Sequence, residues 1–126
     1  MIVDASALVA ILKSEPEKAL FIQALADADA PKISPVNWHV CAVRMERDGD
    51  FEKLEGFIAR ARIMVVPIDE IQMRLAHQAW RTYGKGRHAA RLNLGDCFAY
   101  ALAKAMGEPL LFKGGDFPHT DIVPAV

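Results

Sequence analysis

Short apolar runs alternate with amphipathic stretches along the whole chain. Continuous apolar runs rich in β-branched side chains are typical of strands that a sheet buries on both faces. They predict strands at residues 1–3, 32–34, 63–66 and 110–112, with a further edge strand at 122–123. The run Ile63-Met64-Val65-Val66 is uninterrupted, and we expect it to be covered on both faces.

Apolar side chains three and four residues apart predict helices between these strands. Ser6 is expected to cap the first helix, and Pro16 suits the first turn of the second. Pro31 ends the second pattern, and Pro35 opens the third. The predicted helices cover residues 7–12, 15 to the break before 31, 35–47, a stripe at 51–58, 68–83 and 97–106, with a turn at 48–50 and a loop at 84–88.

Strands that alternate with helices from end to end indicate an α/β fold with a parallel sheet covered by helices on both faces. The 126 residues fit a single domain, 1–126, with no internal repeat or linker. A composition that is 52% hydrophobic is that of a globular protein, and a net charge of −1 restricts any nucleic-acid contact to a local patch.

Cys41 and Cys97 are expected to be reduced structural thiols, because two cysteines without a secretory segment do not form a disulfide framework. The amino terminus lacks the basic and apolar regions of a signal peptide, and no apolar run is long enough for a membrane helix. We therefore expect a cytoplasmic protein without membrane contact.

Three aspartates follow or face the predicted carboxyl edge of the sheet, where parallel α/β folds bind ligands. Asp4 directly follows the first strand, Asp96 opens a helix, and Asp116 follows the last clear strand through a Lys113-Gly114-Gly115 turn. Three carboxylates close together repel one another, but a hard divalent cation between them makes the cluster favourable. Oxygen ligands select Mg²⁺ or Mn²⁺. Phosphodiester hydrolysis is the natural use of such a site.

Each aspartate also has a purely structural interpretation. Asp4 and Asp96 are well placed to cap the helices that follow them, and Asp116 suits a turn. Only the presence of all three aspartates at one edge of the sheet favours a metal site.

Three segments of the chain resemble the signatures of VapC-type PIN domains. They are residues 1–12, MIVDASALVAIL, with Glu15-Pro16 soon after; residues 92–103, LNLGDCFAYALA; and residues 110–117, LLFKGGDF, with Thr120-Asp121-Ile122 behind them. The second segment is the most specific.

The resemblance implies a three-layer α/β/α sandwich with a central parallel sheet. It also implies a metal-dependent endoribonuclease toxin of a type II toxin–antitoxin pair, with Asp4, Asp96 and Asp116 as catalytic and metal-binding acids and Mg²⁺ or Mn²⁺ as cofactor. Ser6 and Thr120 would support these acids. The implied partners are an RNA substrate, a VapB-type antitoxin that inserts its carboxyl-terminal segment into the active-site groove, and a second copy in a homodimer.

Val40 departs from the family pattern, which places a fourth acid, a glutamate, at this point of the third helix. Glu46 lies about 240° around the helix and about 9 Å along it, so it cannot replace that acid. His39 faces about 100° away and is a softer ligand. The alternative function is therefore a catalytically impaired PIN domain that binds RNA or antitoxin without efficient cleavage.

A stretch without any acidic residue, 71–95, carries the candidate contacts to RNA or to an acidic antitoxin. Arg74, His77 and Arg81 are spaced to share one helix face. Trp80 and Tyr83 suit base stacking, although a position in the core or at a dimer interface is favoured for Trp80. The candidate RNA- or antitoxin-binding residues are Arg81, Lys85, Arg87, His88 and Arg91.

Other families with an aspartate after the first strand fit less well. Haloacid-dehalogenase-type phosphatases need a second aspartate where Ser6 stands, and Asp69 is a poor phospho-acceptor for a receiver domain. No glycine-rich fingerprint of a dinucleotide-binding dehydrogenase follows the first strand.

Overall fold

A four-stranded parallel sheet with helices on both sides forms the protein, as a computed structural model describes it for residues 1–126. The strands are β1 (Ile2–Val3), β2 (Lys32–Ile33), β3 (Met64–Val65) and β4 (Leu110–Leu111), in the spatial order β3-β2-β1-β4. The helices are α1 (Ala5–Leu12), α2 (Lys18–Asp27), α3 (Pro35–Arg47), α4 (Phe51–Ala61), α5 (Glu70–Tyr83) and α6 (Leu94–Met106), with a 3₁₀ turn at Phe117–His119.

The sheet separates two apolar layers because neighbouring strand residues point to opposite faces. Val3, Ile33 and Leu111 are fully buried against α1 to α4. Ile2 and Leu110 are fully buried on the other face, against α5 and α6. The α/β/α sandwich expected from the sequence is confirmed.

The residues at the carboxyl ends of the strands begin the helices, which places their polar groups at one edge of the sheet. Asp4 caps α1 by accepting a hydrogen bond from the Ser6 amide, and Ser34 caps α3 in the same way through Val36. The expected Ser6 cap is therefore wrong by two residues, because α1 already begins at Ala5. The strand predicted at 32–34 ends at Ile33, since Ser34 serves the helix.

Strand β3 is more exposed than its apolar sequence predicts. Met64 and Val65 are 56% and 42% exposed, whereas Ile63 is buried. Because β3 lies at the edge of the sheet and pairs only with β2, full coverage on both faces was a wrong expectation.

The carboxyl-terminal tail returns to the other edge of the sheet. A single parallel bridge joins Leu110 to Pro124, so the edge strand expected at 122–123 is reduced to one pairing. Tyr100 and Lys104 of α6 both donate hydrogen bonds to the Asp121 carboxylate and fasten the tail. None of the helices has the length and apolar character needed to cross a membrane.

Candidate metal centre

Asp4 is the buried acid at the centre of the candidate site. It follows β1, which lies between β2 and β4, and it is only 4% exposed. Its Oδ2 accepts hydrogen bonds from the Ser6 amide at 3.0 Å and from the Ser6 hydroxyl at 2.6 Å. Burial raises the pKa of Asp4 above its ordinary value, although the bonds from Ser6 oppose that rise. A nearby cation would reverse this penalty.

Ser6 connects Asp4 to the loop that carries Asp116. Its hydroxyl accepts a hydrogen bond from the Lys113 amide at 2.9 Å while it donates to Asp4. The Lys113 ammonium pairs with Glu15 at 2.7 Å and with Glu17 at 3.1 Å. Ser6 thus supports Asp4 by direct contact, and the loop after β4 is held against the start of the chain.

Asn37 is a contact residue of Asp4 that the sequence did not single out as part of the site. It lies on the first turn of α3 and is 1% exposed. Its Nδ2 donates to Asp4 Oδ1 and to the Gly95 carbonyl, both at 3.0 Å. A polar residue placed three positions after a strand-ending serine was the available signal, but spacing alone does not show that the amide is buried.

Asp96 lies on the first turn of α6, beside Asp4. Its side chain accepts a hydrogen bond from the Asn93 amide, and Asn93 caps the Asp96 amide in return. The helix begins at Leu94, so the cap is Asn93 and not Asp96. Burial, together with the like charges of Asp4 and Asp116, raises the pKa of Asp96 to about 6.

Asp116 is the exposed member of the acid set, at the end of the Lys113–Asp116 loop and just before the 3₁₀ turn. It is close enough to raise the pKa of both Asp4 and Asp96 through repulsion. Thr120 instead serves the tail: its hydroxyl donates to the Phe117 carbonyl at 2.7 Å and accepts from the Ile122 amide. It makes no hydrogen bond to the three aspartates.

The three aspartates are neighbours without already forming a closed ligand set. No three His, Cys, Asp or Glu side chains lie close enough together to share one metal ion. The donor chemistry nevertheless fits a hard divalent cation, because all three groups are carboxylates whose charges oppose one another. Asp96 is half-buried and Asp116 is exposed, whereas Asp4 is buried.

Val40 lies at this edge of the sheet, one turn of α3 beyond Asn37. It is 45% exposed, and its Cγ2 would be 3.3 Å from a Cβ built on Gly95, the residue before Asp96. An acid at this position would therefore stand beside Asp96. His39 and Glu46 lie in a different surface hollow, with Trp38 and Phe51, so they do not replace it.

The two cysteines are free and buried. Burial raises the pKa of Cys41 to about 12 and that of Cys97 to about 11. Thiols that stay protonated are poor nucleophiles and poor metal ligands. The expectation of structural thiols is confirmed, and the site is left with oxygen donors.

A basic surface follows α5 and the loop after it. Arg74, His77, Arg81 and Arg87 line one open cleft of about 870 Å³. Lys85, Arg87, His88 and Arg91 line the adjoining surface. Arg81, Lys85, Arg87 and Arg91 form no ion pair, whereas Arg74 pairs with Glu70. Arg74, His77 and Arg81 share one face of α5, as their spacing predicted.

Trp80 lies at the border of this surface and is 42% exposed, so the core position is wrong and the position at a dimer interface stays a prediction. The Arg87 guanidinium lies 4.8 Å from the centre of its ring, and His77 stacks beside it at 6.2 Å. Tyr83 instead packs against His88 and Tyr100. Of the two aromatic residues, Trp80 is the one that presents a ring to solvent.

Comparison with known proteins places the chain in a family. A model of the PIN domain matches residues 1–123. A Ribonuclease VapC of Mycolicibacterium smegmatis is 46% identical over 125 residues, with 97% of each chain covered. Ribonuclease VapC28 of Mycobacterium tuberculosis is 42% identical over 130 residues, with 100% of this chain and 98% of the relative covered.

A solved structure shares the fold. The crystal structure of Mycobacterium tuberculosis VapC20, described as a Sarcin-Ricin loop cleaving toxin, superposes with a TM-score of 0.74 at 18% identity, over 97% of this chain and 95% of that one. At this identity the likeness concerns the fold alone. The full-length sequence matches and the PIN model together establish that this chain belongs to the PIN-domain family, among the VapC ribonucleases.

Proposed function

We propose that this chain is an endoribonuclease toxin of the VapC type whose activity depends on a divalent cation held by Asp4, Asp96 and Asp116. One observation carries the proposal: the Asp4 carboxylate is buried at the end of a central strand, repulsion from Asp116 raises its pKa, and repulsion from both raises the pKa of Asp96. Burial of this carboxylate is unfavourable even with the hydrogen bonds that it accepts, because its pKa stays raised. A bound cation removes that cost, and Mg²⁺ or Mn²⁺ suits oxygen ligands.

The chain's own residues prepare the site. Ser6 and Asn37 fix both oxygens of Asp4, so that the carboxylate needs no reorientation when it binds its ligand. Asn93 holds Asp96 on the first turn of α6. A cation at these acids, when bound, supplies an acidified water and neutralises charge on the phosphate. Asp116 completes the donor set from its exposed loop.

The substrate in this proposal is RNA that runs along the basic surface. The unpaired cations Arg81, Lys85, Arg87 and Arg91 attract the phosphate backbone. The same surface suits an acidic segment of a VapB-type antitoxin, which would mask the site. Homodimer formation and a cytoplasmic location belong to the same proposal and rest on family membership.

The decisive experiment is an RNA cleavage assay with Mg²⁺ or Mn²⁺. We expect cleavage that EDTA abolishes, and a fall of at least about 100-fold on Asp4→Asn and on Asp96→Asn, because both would remove ligands. Asp29→Asn, at an exposed aspartate on another surface of the molecule, is the matched control and should keep native activity. Cleavage that persists in EDTA, or in both ligand variants, contradicts the proposal.

The alternative of a catalytically impaired domain rests on Val40, which leaves no carboxylate beside Gly95. The same assay separates the two functions. An EDTA-sensitive cleavage by the native chain shows that three aspartates are sufficient. Cleavage only after Val40→Glu would instead make the present chain a protein that binds RNA or antitoxin.

A further inference from the structure

Asn37 joins two parts of the candidate metal centre that come from distant segments of the chain. The end of β1 carries Asp4, and the first turn of α6 carries Gly95 and Asp96. The Asn37 amide nitrogen donates one hydrogen bond to Asp4 Oδ1 and one to the Gly95 carbonyl, each 3.0 Å long. Apart from it, the Asp4 carboxylate accepts hydrogen bonds only from Ser6, while the Asp4 backbone pairs with Leu111 of β4 and with the first turn of α1.

The orientation of this amide is set by its partners. A flipped amide would turn its oxygen toward Asp4 Oδ1 and the Gly95 carbonyl, which are both acceptors. In the observed orientation Asn37 Oδ1 is buried without any hydrogen-bond partner. Leaving a buried acceptor unsatisfied costs stability. What distinguishes this amide is therefore the pair of groups that it joins, the Asp4 carboxylate and the Gly95 carbonyl.

We infer that Asn37 is a positioning residue that sets the separation between the Asp4 carboxylate and the start of α6, and thereby the spacing of Asp4 and Asp96. The inference rests on the proposed metal-dependent function for its effect on cation binding, because the spacing of Asp4 and Asp96 alters the affinity only if both acids bind one cation. Asn37 itself is not assigned as a ligand: an amide binds a hard cation through its oxygen, and here the nitrogen, not the oxygen, faces Asp4.

The lack of an acid at position 40 makes this role more important. Asn37 and Val40 occupy the same face of α3, and both lie within 4 Å of a Cβ built on Gly95. A carboxylate at position 40 would help to bind the cation at the α6 side. With Val40 there instead, the α3 helix contributes to the site only through the Asn37 amide.

The first measurement is Mn²⁺ binding by calorimetry to the native chain, Asn37→Ala and Asn37→Leu. We expect both variants to weaken binding by at least about 10-fold, as loss of a group that orients a ligand does elsewhere. Leucine retains the volume without the donors, so binding near the native affinity by Asn37→Leu alone would show that the side chain only fills space.

Gln72 provides the matched control for a merely structural effect. It is also a buried side-chain amide, 3% exposed, with one donated bond, to the Pro67 carbonyl, and one unpartnered oxygen. Gln72→Ala should lower stability yet leave Mn²⁺ affinity within about twofold of native. An equal loss of affinity in the Gln72 and Asn37 variants, or no loss in either Asn37 variant, overturns the inference.

A second measurement needs no metal. In EDTA, the shift in the urea midpoint caused by Asp4→Ala is compared in the native and Asn37→Ala backgrounds. If the two side chains interact, Asp4→Ala should shift the urea midpoint at most about half as much in the Asn37→Ala background as in the native chain. In that background Asp4 has already lost its hydrogen-bond donor. Equal shifts overturn the inference.

The two measurements keep this inference separate from the proposed function. If neither the native chain nor Val40→Glu binds Mn²⁺, the metal-dependent function fails, and the inference on Asn37 is then decided by the midpoint shifts alone. If only Val40→Glu binds, the Asn37 variants are measured in that background, with the same expected loss.

Discussion

Asp96 is the residue whose charge the fold perturbs most clearly at an accessible position. Burial, with the nearby Asp4 and Asp116, raises its pKa to about 6 from 3.8. The folded chain therefore binds the Asp96 proton more tightly than the unfolded chain does. The contribution of Asp96 to stability is most favourable below the unfolded pKa and falls as the pH rises toward about 6.

We expect Asp96→Asn to stabilise the metal-free chain near pH 7.5 and to have much less effect near pH 4, since asparagine carries no charge and keeps the acceptor for the Asn93 amide. Urea unfolding in EDTA at both pH values measures this. Asp48→Asn is the control of opposite sign: hydrogen bonds from Lys13 and Arg44 lower the pKa of Asp48, so its stabilising contribution is lost as the pH falls. A pH-independent effect of Asp96→Asn contradicts the prediction.

Val40→Glu should restore the acid that this chain lacks beside Gly95. We expect Mn²⁺ affinity to increase by about 10-fold or more, because a fourth carboxylate adds an oxygen donor and a negative charge. Without metal the same substitution should lower stability through repulsion with Asp96. Calorimetry and urea unfolding measure the two effects.

Val43→Glu is the matched control for that prediction. Val43 is a similarly exposed valine of α3, at 40%, but it lines the hollow with Trp38 and Phe51. Equal gains in Mn²⁺ affinity from both substitutions would show a general charge effect and not a restored ligand.

At the scale of elements, α5 and the loop after it supply the basic surface, while α6 supplies the acid beside it. The two helices pack closely on one face of the sheet, and Ala76, Ala79 and Ala99 lie in the apolar layer that they share. Small side chains at this contact allow the helices to approach, and the basic face of α5 is left toward solvent. Positive and negative groups thus lie on neighbouring elements, as the proposed binding of RNA beside a metal ion requires.

Arg81→Ala should weaken RNA binding and reduce the slope of log affinity against log salt by about 1, because Arg81 forms no ion pair within the chain. Fluorescence titration over a range of salt concentrations measures both. Arg74→Ala, on the same helix face, is the control: Arg74 already pairs with Glu70 at 3.0 Å and should have a smaller effect. An equal change of slope for both arginines contradicts a specific role for Arg81.

At the scale of the whole molecule, a sheet of very short strands carries two apolar layers. β1 and β4 each span two residues, so each of these two strands places one residue in each layer. Leu111 is fully buried in one layer and Leu110 in the other. Because Leu110 and Leu111 are covalent neighbours in β4, they connect the two layers. We expect the two layers to unfold together.

We expect Leu111→Ala and Leu110→Ala each to cost about 2 to 5 kcal/mol. Tryptophan fluorescence tests whether the loss is shared, since Trp38 packs against the α1–α4 layer and Trp80 lies on α5. Single-tryptophan chains, Trp80→Phe and Trp38→Phe, should show coincident urea midpoints. A Leu111→Ala transition seen by Trp38 but not by Trp80 would show two independent layers.

Much of this architecture follows from local sequence. Alternating apolar runs and amphipathic stretches determine the parallel α/β class, and the positions of Asp4 and Asp116 after strands identify two candidate site residues. These properties depend on residues close in the chain: periodicity decides which face is apolar, and polar residues end a buried strand.

Only the tertiary structure decided the rest. Met64 and Val65 are exposed because β3 lies at the edge, and a strand's neighbours are set by pairings between distant segments. Asn37 entered the site because α3 packs between the end of β1 and the start of α6. Burial and long-range contact are properties of the packed molecule, and for that reason the spacing of residues along the chain did not reveal them.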